Sequence, residues 1–182
     1  MAEAAPAAAA GGAGGASPTA AATGAASPTP SATLTAGVTG HWRLDGGASE
    51  SMEPMLAWLD VPWLVRKMVG VVPPPTVRTE LTAEGLAVVQ EGQLMNTENK
   101  YVWGSGNAHK APNGTHPADL ALTEAGDGVV VVVHVPKGTI TTTYMPMPAA
   151  GGAGTAAGLT ANVRVVKKDA APGEAPIAIR RV

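Results

Sequence analysis

Beyond residue 75 the apolar positions recur with a period of two. In TVRTELT, Val77, Thr79 and Leu81 share one face and Arg78 and Glu80 the other, which predicts a half-buried strand. AEG is a turn, LAVVQEGQLM a second strand, and NTENKYVWG a third with Asn99, Tyr101 and Trp103 on one side. The stretch from Gly104 to Pro117 is poorly patterned, and 104–112 is the weakest strand-like segment. ADLALTE, VVVVVHV, TITTTYMPM, LTANVRVVKK and APIAIRRV then read as strands, separated by AGDG, PKG, the low-complexity PAAGGAGTAAG and DAAPGE. With GHWRLDGG upstream, the pattern predicts about ten short strands at a spacing of roughly 8 to 12 residues, the signature of a sandwich or barrel.

One stretch breaks this rhythm. In SMEPMLAWLDVPWLVRKMVGVVPPP, Met52, Met55, Leu56 and Leu59 fall at i, i+3, i+4 and i+7. Ser49 or Ser51 is placed to cap this helix, with Glu53 and Pro54 in its first turn. Asp60 is placed to cap a second helix, in which Val61, Leu64, Val65, Met68 and Val69 repeat the apolar period and Arg66 and Lys67 lie opposite. Gly70 and Pro73, Pro74 and Pro75 end it. Each helix is about two turns long, too short to stand alone in water, so the pair must pack on the strands and on each other.

Composition divides the 182 residues unevenly. The first forty contain no Lys or Arg, and Glu3 is their only charge. A run of Ala, Gly, Ser, Thr and Pro buries too little apolar area to offset its ordering entropy. It also lacks the basic start, the apolar core and the arginines of targeting peptides. The expectation is a disordered tail over 1–37 and one folded domain over 38–182. Net charge is −2, which provides no basic footprint for nucleic acid. There is no cysteine, so thiolate catalysis, disulfides and cysteine metal sites are excluded. His41, His109, His116 and His134 are scattered without metal-ligand spacing, and the closest two, His109 and His116, fall in the expected loop. No catalytic motif is present, so neither an enzyme, a cofactor nor a metal is expected. Asp45 and Glu50 read as caps and surface charges. Asn113 opens an NGT sequon, relevant only to a secreted chain.

The order of these elements, together with particular residues, resembles the intracellular fatty-acid-binding proteins of the calycin group. The likeness rests on GHWRLDGGASESMEPMLAWLDVPWLVRKMVGVVPPPTVRTEL and QLMNTENKYVWG: the G-x-W start, the SES before helix one, the L-x-V link, the RK of helix two, the proline before the next strand and the N-T-E strand. The resemblance implies a mainly β fold: an antiparallel ten-stranded up-and-down β-barrel, or clam, with a helix-turn-helix lid after the first strand. It also implies Trp42 at the closed end and a cavity for a small hydrophobic ligand such as a fatty acid, sterol or pigment. The ligand-lining residues it implies are Met52, Met55, Leu56, Val61, Trp63, Val69, Leu94, Met145 and Arg180. The family anchors a carboxylate with two arginines and a tyrosine. Here Arg180 stands at the first position of the last-strand pair, while Val182 and Met145 replace the other two groups. The resemblance further implies a monomeric cytoplasmic carrier, with no nucleic-acid partner and a transient membrane contact at the lid through Trp63, Arg66 and Lys67. Two alternatives remain open: a filled barrel acting as a structural or interaction module, and a calycin enzyme or haem sensor with His134 as its one candidate ligand.

Overall fold

The computed structural model describes residues 28–93, 96–112, 114–148 and 156–182. The expected strands are found: β1 (Gly40–Arg43), β2 (Thr76–Leu81), β3 (Gly85–Glu91), β4 (Asn96–Val102), β5 (Gly104–Ala111), β6 (Gly114–Leu122), β7 (Val129–Val135), β8 (Gly138–Pro148), β9 (Ala156–Lys167) and β10 (Ile177–Arg181). They form two antiparallel sheets, one in the order β1-β2-β3-β4 and one in the order β10-β9-β8-β7-β6-β5. Among the described residues no ladder joins β4 to β5 or β1 to β10, so the barrel implied by the resemblance is an open clam of two sheets. The weak segment 104–112 is a full strand, and the expected loop beyond it is the start of β6.

The chain upstream of β1 departs from expectation. Helix α1 (Ala32–Val38) is capped by Ser31, whose Oγ accepts the Leu34 N–H at 3.1 Å. Leu34 and Val38, one turn apart, are 3% and 0% exposed and join the main core cluster with Leu81, Leu86, Val88, Trp103, Leu120 and Val129. The expected boundary at residue 37 therefore cuts the last turn of this helix. A seven-residue helix gains little from propensity, so its order comes from these buried side chains. The rest of the expected tail, residues 1–27, lies outside the described residues.

Polar contacts seat α1. Thr79 is 1% exposed, donates through Oγ1 to the Val38 carbonyl, and accepts the Trp42 indole N–H at 2.7 Å. Thr39 Oγ1 accepts the Leu81 N–H at 3.0 Å. Trp42 thus sits where the closed end was expected, with α1 as an added floor beneath it.

The lid consists of α2 (Glu53–Trp58) and α3 (Trp63–Val71). Ser51 Oγ accepts the Glu53 N–H at 3.2 Å, close to the expected cap. Asp60 does not cap α3, whose first turn follows Pro62. It occupies the inter-helix link with φ +57, a left-handed conformation that Asp tolerates, and its carboxylate meets Lys137 in the β7–β8 turn. Met52, Met55 and Trp58 pack on a second cluster of Val163, Val165 and Ile179, which ties the lid to β9 and β10.

Up-and-down connectivity fixes the two ends. The C-terminal ends of β3, β5, β7 and β9 lie at the lid end, and those of β2, β4, β6 and β8 lie at the α1 end. On β2, β3, β6 and β7 the inward residues near α1 are buried and the last ones toward the lid keep accessible surface, whereas on β9 and β10 the lid helices bury Val163, Val165 and Ile179. On β3, Leu86 and Val88 are buried and Gln90 is half-buried. On β6, Leu120 and Ala118 are buried and His116 is half-buried. The interior is thus filled at the α1 end, while at the lid end packing is confined to the β9–β10 side and the β3 and β6 sides keep accessible surface.

Replacing Leu34 by Ala is expected to lower unfolding stability by about 2–5 kcal/mol, the range for a fully buried leucine. Ser31→Ala should cost about 0.5–2 kcal/mol through the lost cap. Urea denaturation of the full chain measures both. Wild-type midpoints for both variants would mean that α1 does not belong to the core.

Candidate functional site

The two sheets meet at a seam that runs from the α1 end toward the lid, where β4 and β5 share a corner but no ladder. Gly104 and Gly106, at φ +96 and +87, let the chain turn from one sheet to the other. Two buried asparagines do the pairing that the backbones do not. Asn107 Oδ1 accepts the Val102 N–H at 2.7 Å, while its Nδ2 donates to the Val102 and Gly104 carbonyls at 2.9 and 3.1 Å. Asn99 Oδ1 accepts the Lys110 N–H at 2.6 Å and its Nδ2 donates to the Lys110 carbonyl at 3.2 Å. A side-chain amide carries the same donor and acceptor as a peptide group, so each asparagine substitutes for one rung of a ladder. Asn107→Ala should therefore destabilise by about 1–3 kcal/mol by leaving these groups unpaired. Asn107→Asp keeps the acceptor and loses the donor, so it should also be destabilising. Thermal unfolding of both variants tests the seam, and wild-type melting would refute it.

The other open edge, β10, is covered by residues 45–50. Asp45 N–H donates to the Val182 carbonyl at 2.7 Å, Glu50 N–H to the Arg180 carbonyl at 2.9 Å, and Arg180 N–H to Glu50 Oε2 at 2.8 Å. Asp45 Oδ1 also accepts the Gly47 and Ala48 N–H groups. Asp45 and Glu50 thus shape the loop that guards a strand edge.

Between this loop, the lid and the β3 end lies a cleft of 810 Å³. Met52, Leu56, Val69, Val71 and Val72 supply its apolar wall, Gln90 and Arg181 face it from the strands, and Arg66, Lys67, Glu50 and Glu53 line its rim. Arg66 Nε is 3.4 Å from Glu53 Oε1, which braces the two lid helices. Burial disfavours the charged form of Arg181, whose Nη1 donates to the Glu50 carbonyl at 3.2 Å.

The expected ligand-lining residues separate into groups. Met52, Leu56 and Val69 line the cleft. Met55 packs instead against Val163, Val165 and Ile179, and Val61 is half-buried in the helix link. Trp63 and Leu64, 62% and 63% exposed, lie outside the cleft's lining. Leu94 lies outside the described residues. Arg180 is exposed. Since Ile179 is buried, alternation turns Arg180 outward and Arg181 inward. Met145 also points outward, where Asn162 Nδ2 meets its sulfur at 3.9 Å, while Tyr144 packs on the core. The inward residues at these two places are Tyr144 and Arg181, each next to the position the resemblance implies. His134 is exposed on the outer face and bonded to Asp119 Oδ2 at 2.7 Å, which removes it as an interior haem ligand.

Sequence reasoning missed a polar group on the inner wall. His109 and His116 face each other across β5 and β6, both half-buried and directed inward. The Tyr101 hydroxyl lies 2.6 Å from His109 Nδ1, and the two rings lie within 9° of parallel. Burial lowers the His109 pKa, with His116 adding to it, and raises that of Tyr101, with Tyr144 adding to it. Burial pushes Tyr144 up to about 12. Both phenols and His109 are thus neutral at neutral pH, and the imidazole tautomer decides which of Tyr101 and His109 Nδ1 donates. Among the described residues no cluster of three metal-ligating side chains is present, and no helix is long and apolar enough to cross a membrane.

No protein-family model matches the sequence, and no curated protein matches it. The fold does match solved structures. The Schistosoma mansoni fatty acid binding protein in complex with arachidonic acid superposes with a TM-score of 0.58 at 18% identity, over 81% of this chain and 96% of that one. The Echinococcus granulosus fatty-acid-binding protein 1 gives 0.56 at 14% identity, over 79% and 93%. Lipid binding protein 8 of Caenorhabditis elegans gives 0.56 at 14% identity, over 85% and 96%. The chain therefore has the fold that its sequence resemblance implied.

Proposed function

We propose that the chain is a non-catalytic binding protein for a small hydrophobic molecule with one polar end, a fatty acid or similar lipid, taken up at the lid end and carried in the cytoplasm. The observation that carries this reading is the asymmetry of the interior. One end is closed by Leu34 and Val38, and the other opens to an 810 Å³ cleft walled by Met52, Leu56 and Val69. A concave, mainly apolar site with a few polar groups is the usual form of a small-molecule pocket. Structural neighbours that are fatty-acid-binding proteins, one of them holding arachidonic acid, support the same ligand class.

Displacement of an anilinonaphthalene dye from the full chain by oleate, retinol and a sterol tests this reading. Saturable one-site displacement by at least one of them is expected. Leu56→Asp, which sets a charge in the apolar wall, should weaken binding roughly tenfold or more, equivalent to about 1.4 kcal/mol. Arg180→Ala should leave affinity unchanged, because Arg180 faces outward. A folded, β-rich chain that displaces no dye with any of the three would favour the second reading, a filled interaction module. The fully buried core at the α1 end is the observation on its side.

Delivery would use the lid. Trp63, Leu64 and Val71 give α3 an exposed apolar face beside Lys67, suited to brief insertion at a bilayer surface. Leu64→Asp should slow ligand transfer to anionic vesicles several-fold while leaving the affinity in solution unchanged. Equal transfer rates would exclude this route.

A further inference from the structure

The mouth offers two places for the polar end of a ligand. Arg181 is one, but its cleft also carries Glu50 and Glu53, and its guanidinium is already engaged by the Glu50 carbonyl. An anion there would meet carboxylates as well as cations. The inner wall under the β5–β6 turn differs. The strand carboxylates among the described residues, Glu80, Glu91, Glu98 and Asp119, all fall on outward positions by alternation with buried neighbours. Inward, the wall presents His109, His116 and Tyr101, and Tyr144 lies near enough to Tyr101 to affect its ionisation. Both histidines retain accessible surface in the open half of the interior.

Resting on the lipid-binding reading above, we propose that the His109–His116 pair is the head-group site, taking the anionic end of a bound amphiphile and gaining a proton as it does so.

The chemistry follows from the hydrogen bond. In the Nε2–H tautomer of neutral His109, Tyr101 donates to Nδ1 and the Nε2–H is the donor turned to a ligand. The groups facing His109 are Asn99 and Tyr101 from β4 and His116 from β6; Glu98 and Lys100 of β4 and Asp119 of β6 face away. Burial and the neighbouring imidazole both oppose a charge on His109. An anion reverses that balance, because an opposite charge close by favours the protonated form. The proton comes from solvent. The sign follows from linkage: a site that gains a proton on binding binds more tightly as pH falls. An uncharged head group gives no such gain.

The test uses the full chain and two ligands of equal chain length, decanesulfonate and decanol. Sulfonate stays anionic throughout, so any proton taken up belongs to the protein. Calorimetry at pH 6.5 in two buffers of different ionisation heat counts the protons, and titrations from pH 8 to 5.5 give the affinities. For decanesulfonate the expected result is proton uptake and an affinity rising by up to tenfold per pH unit as pH falls. Decanol should bind with neither. His109→Gln keeps an acceptor for Tyr101 and cannot take a proton, so it should abolish the uptake and flatten the profile while leaving decanol affinity intact. Arg181→Gln should leave the uptake in place. Sulfonate binding without uptake, uptake that survives in His109→Gln, or uptake lost in Arg181→Gln would each overturn the head-group site. So would binding of decanol alone, which leaves the lipid-binding reading standing. If neither compound nor the dye binds the folded chain, both readings fall.

Discussion

Two sheets that close around one interior cannot be packed alike at both ends if the molecule is to admit anything, and α1 decides which end is filled. Val38 is fully buried, and its carbonyl is tied to Thr79, which is tied in turn to Trp42. This chain of contacts joins the segment before β1, the first strand and the second strand at one point. With the far end sealed, the apolar side chains of Leu81, Leu86, Leu120 and Val129 need no ligand to be dry. Most of the core then sits at that end, and the smaller cluster of Val163, Val165 and Ile179 holds the lid.

The two gaps between the sheets are bridged by polar substitutes for regular structure. At the β4–β5 seam asparagine amides replace ladder rungs, and at the β10 edge Glu50 and Ser49 accept the N–H groups of Arg180 and Val182. A backbone ladder would have drawn β4 and β5 together over their whole length. Side-chain rungs hold them at two points, Asn99 to Lys110 and Asn107 to Val102, and keep Tyr101 and His109 facing across the opening. The seam and the polar wall are thus one construction: inward positions that satisfy the gap are the same positions that line the interior.

That economy also explains what the sequence showed and hid. Val77, Thr79 and Leu81, or the VVVVVHV run, alternate because their inward faces are apolar, and those strands were legible. On β5 the inward set is Asn107, His109 and Ala111, so the period-two signal vanishes although the strand is complete. His109 and His116 then read as loop residues, and their pairing was invisible. The α1 segment ATLTAGV shares its composition with the tail. The spacing of Leu34 and Val38 and the serine before them were the available signals, but a helix this short is decided by what it packs against. The lid was legible because its 3.6-residue period stands out against strands, though the cap assigned to Asp60 was not, since the link places that residue in a left-handed turn.

The two arginines at the chain end show how narrow the margin is. Arg180 and Arg181 are adjacent, the strand is short, and a slip of one residue exchanges the inner and outer faces. A motif match by position selects Arg180, whereas the burial of Ile179 selects Arg181 for the interior. Neither arginine, however, is offered to a ligand alone. The backbone N–H of Arg180 is held by Glu50, and Arg181 shares its cleft with Glu50 and Glu53. A permanent cation surrounded in this way discriminates weakly between an acid and a neutral head group, because any attraction must first displace its own acidic neighbours. A histidine pair on a wall without carboxylates behaves differently. Its His109 is uncharged until an anion arrives, so its selectivity is set by pH rather than fixed by the sequence. The departure from the arginine–tyrosine anchor therefore need not weaken recognition. It moves the choice between acid and neutral ligands onto a titratable group, where the conditions at the mouth can decide it.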